Sequence, residues 1–167
     1  MLLQTKPYDG EKTVNYAVQW AMRRNPQFYD YSNLGGDCTN FASQALYHGA
    51  GVMNYTPLYG WYYINGNEKS PSWTGVNYLY QFLSGNLNQG PFAVAGMLAE
   101  IQPGDFIQLS FTNPQHFNHT LVVTKIGSPV TLDNIYIATH SPDSLHRQLS
   151  TYRWIAIRFI HILGVHY

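Results

Sequence analysis

The hydrophobic period of this chain changes along its length, and that change limits the folds open to it. In "EKTVNYAVQWAMRR", residues 11–24, Val14, Ala17, Val18, Ala21 and Met22 recur at the i, i+3, i+4, i+7, i+8 spacing of one helix face. Arg23 and Arg24 suit a last turn, and Pro26 lies just beyond. Phe41, Ala42, Ala45 and Leu46 repeat the pattern over residues 38–48, with Gly49 and Gly51 to end it. Residues 73–83, "WTGVNYLYQFL", set Trp73, Val76, Tyr80 and Leu83 on a third helix face. After these the period becomes two. "QPGDFIQLSF" reads as a Pro103-Gly104-Asp105 turn feeding a strand. "HTLVVTKIG" is a β-branched strand ending at Gly127, and "NIYIATH" is another strand, 134–140. "TYRWIAIRFIHIL" alternates, with Trp154, Ala156, Arg158, Ile160 and Ile162 on one face. Helices first and strands later predict an α+β fold, with N-terminal helices packed on a C-terminal antiparallel sheet.

The 167 residues suit one domain with one core, and no repeat, low-complexity segment or linker divides them, so residues 1–167 read as a single domain. The formal net charge is zero and no basic stripe is present, which argues against a nucleic-acid partner. No apolar run reaches the roughly 18 residues of a membrane span. "MLLQTKPYDG" shows no signal peptide, so the compartment stays open: intracellular, or extracellular if a leader was removed. "GNLNQG" lacks the phosphate-loop lysine, no paired carboxylates suggest a glycosidase, and no cofactor is implied. Residues 52–72, rich in Tyr, Gly, Asn and Pro around "YGWYY", read as a long ordered loop of the kind that borders binding sites. Tyr59 to Tyr63, Trp61 among them, together with Trp73, are candidates for a cleft wall, although aromatic residues are also common in small cores.

The chemistry centres on "NLGGDCTNFASQAL", which holds the only cysteine, Cys38. One cysteine forms no internal disulfide and no thiolate zinc cluster. Lone cysteines are usually inert packing. Cys38, however, falls at a helix start, where free amides and the positive dipole end favour a thiolate. Gly35 and Gly36 allow a sharp turn before it, and amides there can bind an oxyanion. Asp37 reads first as the helix cap. Asn40 and Gln44 are placed to line a cleft.

A nucleophilic cysteine needs a base, and seven histidines compete. His48 lies at the far end of the cysteine helix, about 15 Å away. His161 and His166 fall in the last strand and the tail, and His146 in the polar turn "SPDSLHRQLS". His119 opens one strand and His140 closes the next. If those strands are antiparallel neighbours, the two histidines meet at one sheet edge, with His119 as base and His140 orienting it. Two histidines satisfied separately at loop boundaries is the equal alternative. A zinc site of His116, His119 and His140, with Asp105 or Asp143 as fourth ligand, is the weaker third reading, because residues three apart in an extended segment point to opposite faces.

"GGDCTNFASQAL", "GWYY", "SWTGVNYLYQFL", "QPGDFIQL", "NHTLVV" and "IATHSPD" occur in this order. In this the chain resembles the putative amidase domain family of bacteria, a branch of the papain-like cysteine hydrolases related to NlpC-type cell-wall peptidases. The resemblance implies a papain-like fold, Cys38 as nucleophile, His119 as base and His140 as the third polar residue, with Asp143 a second candidate for that place. Asn118 stands before His119, where the family more often has a small residue. The activity implied is hydrolysis of an amide, with the thiolate and His119 held as an ion pair and peptidoglycan-like peptides as substrate. A non-catalytic module holding a glycan or peptide in the same cleft is the alternative.

Overall fold

The computed structural model describes residues 2–167. Its helices are α1 (Gly10–Trp20), α2 (Cys38–Ala50), α3 (Pro71–Thr74) and α4 (Val76–Gly85). Its strands are β1 (Thr5–Lys6), β2 (Tyr63–Asn65), β3 (Glu68–Lys69), β4 (Gly90–Gly96), β5 (Phe106–Ser110), β6 (His119–Ile126), β7 (Ile135–Thr139), β8 (Ser144–Gln148) and β9 (Ala156–His166). Among the described residues, seven strands form one antiparallel sheet in the order β1-β9-β5-β6-β7-β8, with β4 on the other edge of β9, while β2 and β3 make a separate hairpin. The fold is α+β, as the change of period predicts.

The helices pack on one face of this sheet. Phe41, Ala42, Ala45 and Leu46 of α2 are fully buried against Phe106, Val122, Ala138 and Ile160. The alternate residues Ile107, Leu109, Leu121, Val123 and Ile137 form a second core on the opposite face, closed by Ile101, Leu149, Tyr152 and Trp154 from the connections. Gly51 ends α2 in the left-handed conformation, with φ of 76°.

Several details differ from the sequence reading. The buried face of α1 is Thr13, Tyr16, Ala17 and Ala21, while Val18 and Met22 are exposed. The helix stops at Trp20, whose carbonyl accepts His140 Nε2 at 2.8 Å. The third predicted helix is broken at Gly75 into α3 and α4. β8 and the β2–β3 hairpin lie where turn or loop was expected, β4 lies where no element was predicted, and β9 runs on through His166, which stacks on Phe92. β8, which contains His146, is an edge strand with no buried residue, so it carries no alternating apolar signal.

Candidate active site

Gly35 and Gly36 both adopt positive φ, 90° and 106°, a region closed to most side chains. They turn the chain so that Cys38 becomes the first residue of α2. Asp37 occupies the cap position, but its carboxylate makes no cap hydrogen bond to the helix. Its Oδ1 accepts the Tyr31 N–H at 2.8 Å and Asn40 Nδ2 at 2.9 Å, and its Oδ2 accepts His140 Nδ1 at 2.6 Å. The first-turn amides of α2 are therefore left to other acceptors. The Asp37 N–H is the exception in this region: it donates to Ser141 Oγ at 2.9 Å.

The thiol of Cys38 lies 3.7 Å from Thr39 Oγ1. Thr120 is the second residue of β6 and lies beyond the last paired residues of β6 and β7, Val122 and Ala138. Its hydroxyl bonds Thr39 Oγ1 at 2.8 Å and accepts Gln108 Nε2 at 3.2 Å. Gln108 in turn accepts Arg158 Nε at 2.8 Å. Thr120, Gln108 and Arg158 lie in register on three neighbouring strands, a polar rung on the helix side of the sheet.

His119 precedes Thr120, so its side chain takes the other face. It pairs in register with Leu109, its ring lies edge-on to Tyr152 with centroids 5.8 Å apart, and Phe111 lies 6.2 Å away. Its Nε2 is buried and has no hydrogen-bond partner, and the same holds for the Tyr152 hydroxyl. That hydroxyl lies near Ser144 and Arg147 but within bonding geometry of neither. The Arg147 guanidinium covers the Tyr152 ring at 3.7 Å.

Burial sets the charge state of this pair. It pushes the Cys38 thiol above its ordinary range, with the polar groups of Thr120 and Thr39 opposing the effect and the Asp37 carboxylate adding to it. It pulls His119 down to about 4, helped by the positive Arg147. The resting pair is therefore neutral thiol and neutral imidazole, not the ion pair expected from the sequence. No hydrogen bond joins Cys38 and His119 at rest. Catalytic contacts often tighten only when substrate is bound.

The sequence model of a putative amidase domain matches residues 7–163. The chain belongs to that family. Comparison with curated proteins and with solved structures finds no match. Membership makes amide hydrolysis the reaction this site is to be read against.

In the amidase domain, His140 does not meet His119. Nδ1 bonds Asp37 Oδ2 and Nε2 bonds the Trp20 carbonyl, and both partners only accept, so neither nitrogen is free to orient another ring. His140 stacks on Phe41 and ties the end of α1 to the start of α2. Asp143 is also engaged: both oxygens hold Arg24, at 2.8 and 2.9 Å, which keeps its carboxyl below the usual range against the opposing effect of burial. Asn40, 1% exposed, and Gln44, 3% exposed, are committed inside the amidase domain to Trp73 Nε1 and to the Tyr16 hydroxyl. Trp61 and Trp73 are fully buried 4.9 Å apart and form core, not a cleft wall. Their indole N–H groups find Ser43 and Asn40 inside, so nothing turns them outward. The three histidines weighed as metal ligands do not converge: His116 is exposed beside Asn77, and His140 is held by Asp37. Among the described residues, no three His, Cys, Asp or Glu side chains gather as a metal site. Thr120, Ser141 and Tyr152 escaped the sequence reading. Thr120 and Ser141 each follow a histidine that was singled out, and Tyr152 opens the "YRW" run, but only strand pairing and the β8–β9 connection bring them to Cys38.

Proposed function

We propose that this chain is a cysteine amidase in which Cys38 is the nucleophile and His119 the base. One observation carries the reading. Cys38 starts a helix whose next residue, Thr39, bonds through its hydroxyl to Thr120 at 2.8 Å, and Thr120 adjoins His119, whose buried Nε2 is unpaired. A cysteine on a helix start facing a histidine at a strand start is the papain-like arrangement, and the resemblance to NlpC-type peptidases belongs with it.

The neutral pair defines the order of events. Sulfur attacks the amide carbonyl carbon as the thiol proton passes to His119 Nε2, and the carbonyl π pair moves to oxygen. The Cys38 N–H, which has no intrahelical acceptor, faces that developing charge. When the tetrahedral species collapses, the C–N bond breaks and His119 returns the proton to the leaving amine. Water then attacks the thioester and gives its proton to His119. The acid leaves, and sulfur recovers its proton. A residue in the base role contributes roughly 10²–10⁴-fold. Cell-wall peptides are the proposed substrate class, a reading that rests on the family resemblance.

The test uses an activated ester, p-nitrophenyl acetate, followed by mass spectrometry of the protein. Acetylation of Cys38 with a burst of nitrophenolate is expected in wild type. It is absent in Cys38→Ser and slowed at least about 10²-fold in His119→Ala. Equal rates in wild type and His119→Ala would remove His119 from the base role. Release of new amino groups from peptidoglycan stem peptides tests the substrate class separately.

A further inference from the structure

We propose that Tyr152 is a further catalytic residue, its hydroxyl donating a hydrogen bond to the oxyanion formed when Cys38 attacks the carbonyl; this rests on the Cys38–His119 reading above. A buried hydroxyl normally finds a partner. That of Tyr152 has none, and it shares this condition with Nε2 of His119, against whose ring Tyr152 packs edge-on at 60°. Burial raises the titration of the Tyr152 phenol above its ordinary range, with the Arg147 guanidinium opposing it. The phenol can therefore act as a donor throughout the cycle.

The supply of other donors supports the same role. An oxyanion hole for acyl transfer works through preorganised donors aimed at the developing charge, commonly more than one. The Asp37 N–H is spent on Ser141. The Cys38 N–H is left as the backbone donor at the helix start, and the Tyr152 hydroxyl supplies the second. The ring is held ready for this. Arg147 lies 3.7 Å from its centroid and is itself fixed by Thr151, Nε to Oγ1 at 2.7 Å.

Tyr152→Phe keeps the ring and its contacts with His119 and Arg147 and removes only the donor. Because the hydroxyl has no partner to lose, the variant is expected to unfold at the same temperature as wild type or higher. Two reactions of Cys38 are then compared. Acylation by p-nitrophenyl acetate passes through a tetrahedral oxyanion and should fall roughly 10²–10³-fold. Alkylation by iodoacetamide displaces iodide at a saturated carbon, forms no carbonyl oxyanion, and should stay within about twofold of wild type. Equal acylation in Tyr152→Phe and wild type overturns the assignment. So does a parallel loss of both reactions, which would make Tyr152 a packing residue. If His119→Ala is impaired while Tyr152→Phe is not, only the Tyr152 assignment fails. If His119→Ala acylates as fast as wild type, the catalytic reading fails and Tyr152 goes with it.

Discussion

The Thr39 hydroxyl, next to Cys38, meets the Thr120 hydroxyl, next to His119, at 2.8 Å, where β6 has run past the last residue it pairs with in β7. This contact ties the start of α2, which carries Cys38, to the strand that opens with His119. Thr120 is turned toward the helices and His119 toward Tyr152.

A neutral pair has a distinctive pH profile. His119 can take a proton only when it does not already carry one, and its titration lies at about 4. Acylation of Cys38 should therefore rise with a midpoint near that value and stay level from roughly pH 5 into the alkaline range. A midpoint between about 6 and 7, the ordinary histidine range, would mean that His119 is not desolvated as described.

The same depressed titration bears on stability. His119 binds a proton more readily in the unfolded chain, at an ordinary value near 6.5, than in the fold, at about 4. Its contribution is thus fully present above about 6.5 and is lost as pH falls toward 4. The loss amounts to at most ~3 kcal/mol. Urea unfolding at several pH values should show a shallower acid loss in His119→Gln than in wild type; identical slopes would contradict the assignment.

Asp37 carries the opposite kind of load. Removing its charge in Asp37→Asn leaves His140 without its carboxylate and places an amide against a ring N–H. Breaking one side of a buried charged contact costs about 3–5 kcal/mol. The unfolding free energy should drop by that amount, and a change within about 0.5 kcal/mol would show that the contact is dispensable.

His140 and His119 should separate cleanly by experiment. His140→Gln is expected to lower the unfolding midpoint while leaving the acid midpoint of Cys38 acylation where it is. A shift of that midpoint would restore the idea that His140 acts through His119.

Gly36→Ala probes the turn before the nucleophile. A Cβ there meets only Ser141 Cβ at 3.8 Å, so space is not the obstacle; φ of 106° is. Conformational strain of about 1–3 kcal/mol is expected, read as a lower thermal midpoint.

How far the sequence carries can be judged from individual residues. Phe41, Ala42, Ala45 and Leu46 announced a buried helix face because the helix spacing is local, and β6 and β9 announced themselves by β-branched or alternating runs. Edge strand β8 did not, since a strand with no buried face has no reason to alternate. From sequence alone Trp61 and Trp73 fit a cleft wall as well as a core, because side-chain type does not reveal direction, and burial is decided by Ser43 and Asn40 on another element. His140 was paired with His119 from strand order alone. A one-residue offset in an antiparallel pair sends neighbours to opposite faces, and that offset depends on pairing that no single segment encodes.

The start of α2 is held by partners far away in the chain: Asp37 by His140 and Ser141, and, beside them, Arg24 by Asp143. Separations of 103, 104 and 119 residues mean that these ties close only after most of the polypeptide is available. Non-local closures come late in folding because the entropy of the intervening loop must be overcome first. The geometry around Cys38 is therefore a late product of folding, so a nascent chain that has emerged only as far as β6 already contains Cys38 and His119 but lacks the ties that fix the start of α2.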